Sequence, residues 1–203
     1  MTTQSEQTLE NNLIAQLKTL GFDKVQIDDE SALLVNLKTQ LEKHNGVQLS
    51  DGEFKQILNK LAKGNIFEKA KILRDKVDFI RDDGTVGYVE LINKIQWCKN
   101  QYQVTNQVTM KGKYTNRYDV TILVNGLPLV QIELKRRGLE MKEAFNQTNR
   151  YHRHSFSAGY GLFGYIQMFV ISNGVNTKYY ANNQVAKRDF KQTFFWADEH
   201  NKK

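Results

Sequence analysis

Apolar residues recur at helical spacing through the first third of the chain. Leu9, Leu13, Ile14, Leu17 and Leu20 predict an opening helix, with Thr3 and Glu6 at capping-box spacing and Gly21 as its stop. Leu33, Leu34, Leu37 and Leu41 predict a second helix that ends near Gly46. Phe54, Ile57, Leu58 and Leu61 predict a third, behind Ser50 and Glu53 at capping-box spacing. The stretch from Ile66 to Arg74 either extends the third helix or follows it, and periodicity alone leaves both open.

Past about Val77 the pattern shortens to short β-branched and aromatic runs. VDFIR and VGYVELI flank Asp82-Asp83-Gly84-Thr85, where Asp-Gly suits a tight hairpin. Gln101 to Met110 continues with rough alternation. Tyr118 to Val124 and Leu129 to Lys135 flank Asn125-Gly126-Leu127-Pro128, whose Asn-Gly supplies positive φ and whose Pro128 limits pairing at the start of the second strand. A polar helix is predicted from about Leu139 to His154, and Gln167 to Ser172 with Lys178 to Ala181 predict a strand pair around Asn173-Gly174. Helices thus flank a β-rich middle. With one proline, no low-complexity linker and no internal repeat, residues 1–203 read as a single α/β unit.

Composition excludes several classes. A chain of 203 residues, 40% hydrophobic and 25% charged, is large enough for a substantial core and unlike a disordered or collagen-like chain. The single Cys98 forms no internal disulfide and is read as a small buried apolar group beside Trp97. No apolar run is long enough to cross a bilayer, and MTTQSEQTLE lacks the basic start and apolar run of a secretory signal, so a cytoplasmic protein without membrane contact is expected. Twenty-nine Lys and Arg stand against 22 Asp and Glu, a net +7, which suits a polyanionic partner.

The candidate chemistry sits on the best-defined hairpin. In a strand, Glu133 and Lys135 project from one face while Ile132 and Leu134 project from the other. Asp119, on the adjacent arm and in phase with Thr121 and Leu123, reaches the same face as Glu133 if the arms pair. Two carboxylates converging in an apolar setting need a proton, a partner or a cation. Their hard oxygens suit Mg²⁺, which is commonly held by one or two carboxylates plus phosphate oxygens. Such an ion would polarise a phosphodiester and acidify a water, while Lys135 orients that water or stabilises charge growing in the transition state. The tripeptide itself is weak evidence. Glu53-Phe54-Lys55, Glu140-Met141-Lys142 and Asp189-Phe190-Lys191 repeat it in polar or helical surroundings that suit ordinary surface charges. Glu133 differs because it interrupts the apolar strand Leu129 to Leu134.

The run Asn116-Arg117-Tyr118-Asp119-Val120, then Leu123 to Val130 through Asn125-Gly126-Leu127-Pro128, then Ile132-Glu133-Leu134-Lys135, resembles the PD-(D/E)XK nuclease core. More closely, it is similar to the N-terminal nuclease domain of the restriction (R) subunit of type I restriction-modification enzymes. Arg81-Asp82-Asp83-Gly84 with Tyr88-Val89, Asn106-Gln107-Val108-Thr109, and Glu143-Ala144-Phe145-Asn146-Gln147 through Arg150-Tyr151 extend the resemblance over most of the chain. It implies a restriction-endonuclease-like α/β fold, a central mixed β-sheet flanked by helices, that cleaves double-stranded DNA with Mg²⁺ in defence against foreign DNA. It implies catalytic roles for Asp119, Glu133 and Lys135, with Asp119 and Glu133 on the metal, and a further acid on the first helix at Glu10. Gln147 and Tyr151 match its Q-x-x-x-Y motif and, four apart on a helix, share a face. Tyr118 stands where the family usually has proline, which bears on strand entry and leaves the aspartate in place.

The resemblance also implies partners. Methyltransferase and specificity subunits, and an ATP-driven motor, belong to the full-length enzyme. No G-x-x-x-x-G-K-[ST] loop occurs here, so ATP is expected only for motor domains outside this fragment. Between Leu134 and His154, six cations (Lys135, Arg136, Arg137, Lys142, Arg150 and Arg153) face two acids, Glu140 and Glu143, leaving +4 beside the proposed site. Arg136, Arg137 and Arg150 are the candidates for salt-sensitive contacts to a DNA backbone. Tyr160, Phe163 and Tyr165 among glycines are read as loop or core, and His152 and His154 as surface residues. A non-catalytic DNA-binding or subunit-docking module, or a structure-specific resolvase-type nuclease, would share the core. The intact acids and lysine distinguish a nuclease from a degenerate copy.

Overall fold

A computed structural model describes residues 5–111, 114–154, 159–183 and 188–201. Its first element is α1 (Glu6–Thr19), whose N-cap is Ser5: the Ser5 hydroxyl accepts the Thr8 N–H at 3.2 Å. Thr3, the cap expected from spacing, lies outside the described residues, and Gly21 ends the helix region with a positive φ. After β1 (Asp23–Lys24), α2 (Glu30–Asn45) runs from an Asp29 cap to a left-handed Gly46. Then α3 (Asp51–Leu61) starts at the Ser50/Glu53 capping box, and α4 (Ile66–Ile72) starts afresh at a second box formed by Asn65 and Glu68. That second box decides the boundary which periodicity left open, because each box satisfies the N–H groups of a new helix start.

The β-rich middle comprises β2 (Lys76–Ile80), β3 (Val86–Glu90), β4 (Tyr102–Lys111), β5 (Thr115–Val124) and β6 (Leu127–Leu134). It is followed by α5 (Met141–His154), β7 (Met168–Ser172), β8 (Thr177–Ala181) and β9 (Phe194–Phe195). Seven strands form a mixed sheet in the order β1-β4-β5-β6-β7-β8-β9, parallel at β1/β4 and β6/β7 and antiparallel elsewhere, while β2 and β3 pair separately. Parallel β6 and β7 require a crossover, and α5 provides it. The C-terminal end of β6 is therefore the point at which the chain leaves the sheet to climb into α5.

Apolar side chains cover both faces of the sheet. On one, Ile14 and Leu17 of α1 pack with Val104, Val120, Ile132, Leu134 and Val170. On the other, α2, α3, α5 and the β2–β3 pair share a larger core with Tyr118, Leu123, Phe163, Tyr165 and Phe169. The β5–β6 turn adopts positive φ at Asn125 and Gly126, and a Cβ on Gly126 would lie 2.8 Å from the α2 backbone at Leu37. Only glycine lets this turn close against the helix. Pro128 pairs opposite Leu123 at a register shift, so β6 begins two residues before the sequence pattern suggested.

The fold is thus a restriction-endonuclease-like α/β core with a central mixed sheet between helices. Some local expectations fail. Leu20 lies past α1 and is 74% exposed, and Cys98 sits exposed on a 3-10 turn that holds it off the core. Strands β1 and β9, two residues each, are too short for any alternation to betray them. Phe163 and Tyr165, by contrast, are core residues as expected, buried on a 3-10 turn. The side chains of His152, Arg153 and His154 lie outside the described residues. Among the described residues, no helix is long and apolar enough to cross a membrane.

Candidate active site

Pairing of β5 with β6 runs through Thr121↔Gln131 and Val120↔Ile132, so one further step sets Asp119 opposite Glu133. Ile132 and Leu134 turn to the α1 side, as alternation requires, and Glu133 turns away from them into the interior, where it is 0% exposed. Asp119 is half-buried and accepts the Leu134 N–H on Oδ2 at 2.9 Å, which fixes its carboxylate at the strand end. Glu133 Oε1 accepts from Gln131 Nε2 at 3.1 Å, and Gln131 Oε1 in turn accepts the Thr121 hydroxyl at 2.8 Å. Thr121, Gln131 and Glu133 are all fully buried, so this chain of amide and hydroxyl is a rigid mount for one carboxyl oxygen.

The other oxygen has no such support. Glu133 Oε2 is buried without a donor, and the Asp119 carboxyl lies within hydrogen-bonding reach of Glu133. Burial raises the Glu133 carboxyl well above the ordinary glutamate range, and the neighbouring Asp119 charge raises it further. Burial also raises Asp119, against the Leu134 N–H and the Lys135 charge, which lower it. Two facing acceptors in a dry setting need either one shared proton or a cation. Among the described residues no three His, Cys, Asp or Glu groups form a protein-only cage. Mg²⁺ does not need one, because it takes one or two carboxylates and completes its shell with water and phosphate oxygens. The donor set fits such an ion.

Lys135 follows the last residue of β6. Its side chain is 13% exposed, with Nζ 3.8 Å from Glu6 Oε2, and its charge offsets both acids of the pair. Glu6 also accepts the Arg136 N–H at 3.3 Å, tying the first turn of α1 to the start of the β6–α5 connection. One turn further along α1, Glu10 is only 3% exposed and accepts from Gln107 Nε2 at 2.6 Å and Asn106 Nδ2 at 3.3 Å. Burial raises the Glu10 carboxyl, those two amides oppose the rise, and the Asp119 charge adds to it. Glu10 thus feels the same field as the pair on the sheet.

Gln147 and Tyr151 meet as the four-residue spacing predicts: the Gln147 amide donates to the Tyr151 oxygen, and the Tyr151 hydroxyl donates to the Arg117 carbonyl at 2.9 Å. The Tyr151 ring lies edge-on to Tyr118, 4.7 Å between centroids. Burial, with the Glu133 charge, raises Tyr151 above the ordinary tyrosine range and keeps its proton in place. Tyr118, at the position of the family's proline, is a fully buried core residue between Tyr151 and Phe163. Arg136, Arg137 and Arg150 are exposed.

Glu6, Asn106, Gln107, Thr121 and Gln131 escaped the sequence reading as parts of this cluster. Glu10 itself left a direct signal, because with Ile14 and Leu17 it falls on the buried stripe of α1, an acid where the helix buries apolar groups. Gln131 gave a similar one, an amide inside an otherwise apolar strand.

Residues 3–188 match the family described as Type I restriction enzyme R protein N terminus. The chain is 48% identical over 206 residues to the type I restriction enzyme SauMSSORF170P endonuclease subunit of Staphylococcus aureus (strain MSSA476), covering 99% of this chain and 22% of that protein. It is 42% identical over 207 residues to the EcoprrI endonuclease subunit of Escherichia coli, covering 98% of this chain and 66% of that one. A putative type I endonuclease subunit of Methanocaldococcus jannaschii, MjaVIIIP, is 34% identical over 117 residues, 55% of this chain and 11% of its own length. The chain therefore spans about a fifth of the length of the staphylococcal relative.

Proposed function

The chain belongs to the Type I restriction enzyme R protein N-terminal family, and on that premise we propose that it is the DNA-cleaving domain of a restriction subunit. The observation that carries the reading is the buried Glu133 carboxyl, its Oε2 without a donor, within hydrogen-bonding reach of Asp119 and beside Lys135. Asp119 and Glu133 would hold Mg²⁺. When bound, that ion supplies polarisation of the scissile phosphate and a water of lowered pKa.

The protein's own residues do the rest. The Thr121–Gln131 mount and the Leu134 N–H hold the two carboxylates in fixed positions, so that neither must reorganise when a phosphate arrives. Lys135 presents an ammonium next to them, where it orients the attacking water and stabilises the charge that grows on the phosphoryl oxygens. Glu10 places a third carboxyl at the edge of the same field. Gln147 and Tyr151 brace the far side by anchoring the Arg117 carbonyl at the entry to β5. Arg136, Arg137 and Arg150 present exposed cations on the α5 side, where a double-stranded DNA backbone would run. Such contacts are independent of sequence, so in this reading target choice would fall to a specificity subunit, and the methyltransferase subunit and ATP would serve other parts of the assembly.

Plasmid cleavage by the assembled enzyme tests this. Asp119→Ala, Glu133→Ala and Lys135→Ala are each expected to lower the rate by at least about 100-fold with the fold retained, in line with removal of a preorganised charge-stabilising group. Cleavage by Lys135→Ala at the wild-type rate would remove its role. A crystal soaked with Mn²⁺ is expected to show anomalous density between Asp119 and Glu133.

A further inference from the structure

Gln107 is a non-glycine residue with φ +60° inside β4, a left-handed conformation that a long side chain rarely adopts. Its place is not arbitrary. Asn106 pairs with Val120 and Val108 with Tyr118, and the ladder skips Gln107 at the step between them, level with Asp119. The alternation of the strand inverts there: Val104 packs on the α1 side of the sheet, whereas Val108 and Met110 pack in the core on the other side. In a regular strand Asn106 and Gln107 would point to opposite faces. Here both amides converge on the one carboxylate of Glu10, at 3.3 and 2.6 Å.

We propose that Gln107, assisted by Asn106, is a positioning residue for the nuclease site, its left-handed backbone serving to turn two consecutive amides onto Glu10 and hold that carboxyl beside Asp119. The proposal rests on the nuclease reading above. A kink alone would be served better by glycine, which adopts this conformation without strain. The chain keeps a glutamine instead, and leaves Gln107 Oε1 buried with no partner so that Nε2 can face Glu10. Strain and an orphaned acceptor at one residue, both spent on a single carboxylate, mark a position shaped by the site rather than by the sheet.

The test uses the assembled restriction enzyme with Gln107→Gly, Glu10→Gln, the double variant and Asp119→Ala as control. Gln107→Gly is expected to lower kcat for DNA cleavage about 10- to 100-fold, the usual cost of removing a group that orients a site residue. KM for DNA is expected to stay unchanged and the melting temperature of this chain to change little, since relief of the strained φ offsets the hydrogen bond lost to Glu10. A merely structural glutamine would shift stability and rate in the same direction. The double variant is expected to be no slower than Glu10→Gln alone, as required if Gln107 acts through Glu10. Wild-type kcat in Gln107→Gly beside an inactive Asp119→Ala overturns this proposal alone, as does a double variant whose losses multiply. Wild-type cleavage by Asp119→Ala overturns the nuclease reading and this inference with it.

Discussion

Glu53 and Glu133 stand in the same tripeptide, Glu-x-Lys, and both end up buried, at 4% and 0% exposure. Glu53 has its needs met. Its Oε2 accepts the Ser50 N–H at 3.0 Å, its Oε1 accepts the Asp82 N–H at 3.3 Å, and Arg81 stands 3.8 Å away. Glu133 has one oxygen mounted by Gln131 and the other without a donor, with a second acid within reach of its carboxyl. Burial of an acid therefore does not mark a reactive site. What separates the two is saturation, because a satisfied carboxylate stabilises a helix start and an unsatisfied one beside a like group waits for a proton or a cation. The comparison also corrects the expectation that the other Glu-x-Lys repeats carry ordinary surface charges: Glu53 is a buried cap that joins α3 to the β2–β3 turn.

The largest difference is expected in cleavage. Glu133→Gln should lower the rate of the assembled enzyme at least about 100-fold, while Glu53→Ala should leave the rate per folded molecule unchanged and lower stability by about 1–2 kcal/mol in urea, the cost of a lost cap. Equal loss of rate in the two variants would erase the distinction drawn here.

A second contrast is in pH and metal. Glu133 and Asp119 have folded-state values raised above the unfolded ones, so between those values the folded protein binds more protons than the unfolded chain. Their contribution to stability is present at low pH and is lost as pH rises from about 3.8 for Asp119 and 4.5 for Glu133 through the raised folded values. Metal-free protein should therefore melt at progressively lower temperature across that window, and Glu133→Gln should flatten the fall. Mg²⁺ at neutral pH should restore stability, by about 2.7 kcal/mol at a hundredfold excess over its Kd. Calorimetry with and without the ion checks both statements, and the effect should persist in Glu53→Ala and vanish in Glu133→Gln.

The smallest effect concerns a satisfied group at the site itself. Tyr151→Phe removes the donor to the Arg117 carbonyl and is expected to cost about 1 kcal/mol in urea unfolding, the ordinary worth of one hydrogen bond. A loss several times larger would place Tyr151 among the groups whose absence strands a buried charge.

Much of the architecture is legible in the sequence. The helix starts at Ser50 and the stops at Gly21 and Gly46 followed from local chemistry, as did the Asn125-Gly126 hairpin and the shared face of Gln147 and Tyr151. Glu133 stood out because a charge in an apolar strand is costly. The break between α3 and α4 carries a local signature too, Asn65 and Glu68 at capping-box spacing. The two-residue strands at the sheet edges and the exposure of Cys98 were not, because neither has a periodic signature of its own.

By itself, the sequence determined the local elements and the identity of the reactive groups: period and capping chemistry act over a few residues, and a strand's alternation fixes which side chains share a face. Tertiary structure alone decided the rest. It seated Glu10 and Glu6 of α1 against β4 and the end of β6, left Glu133 Oε2 without a donor, and inverted β4 at Gln107. The contacts of Glu10 and Glu6 join residues about a hundred positions apart, and the energies here depend on which donors and acceptors are left unpaired once water is gone, a property of the packed molecule that no local pattern carries.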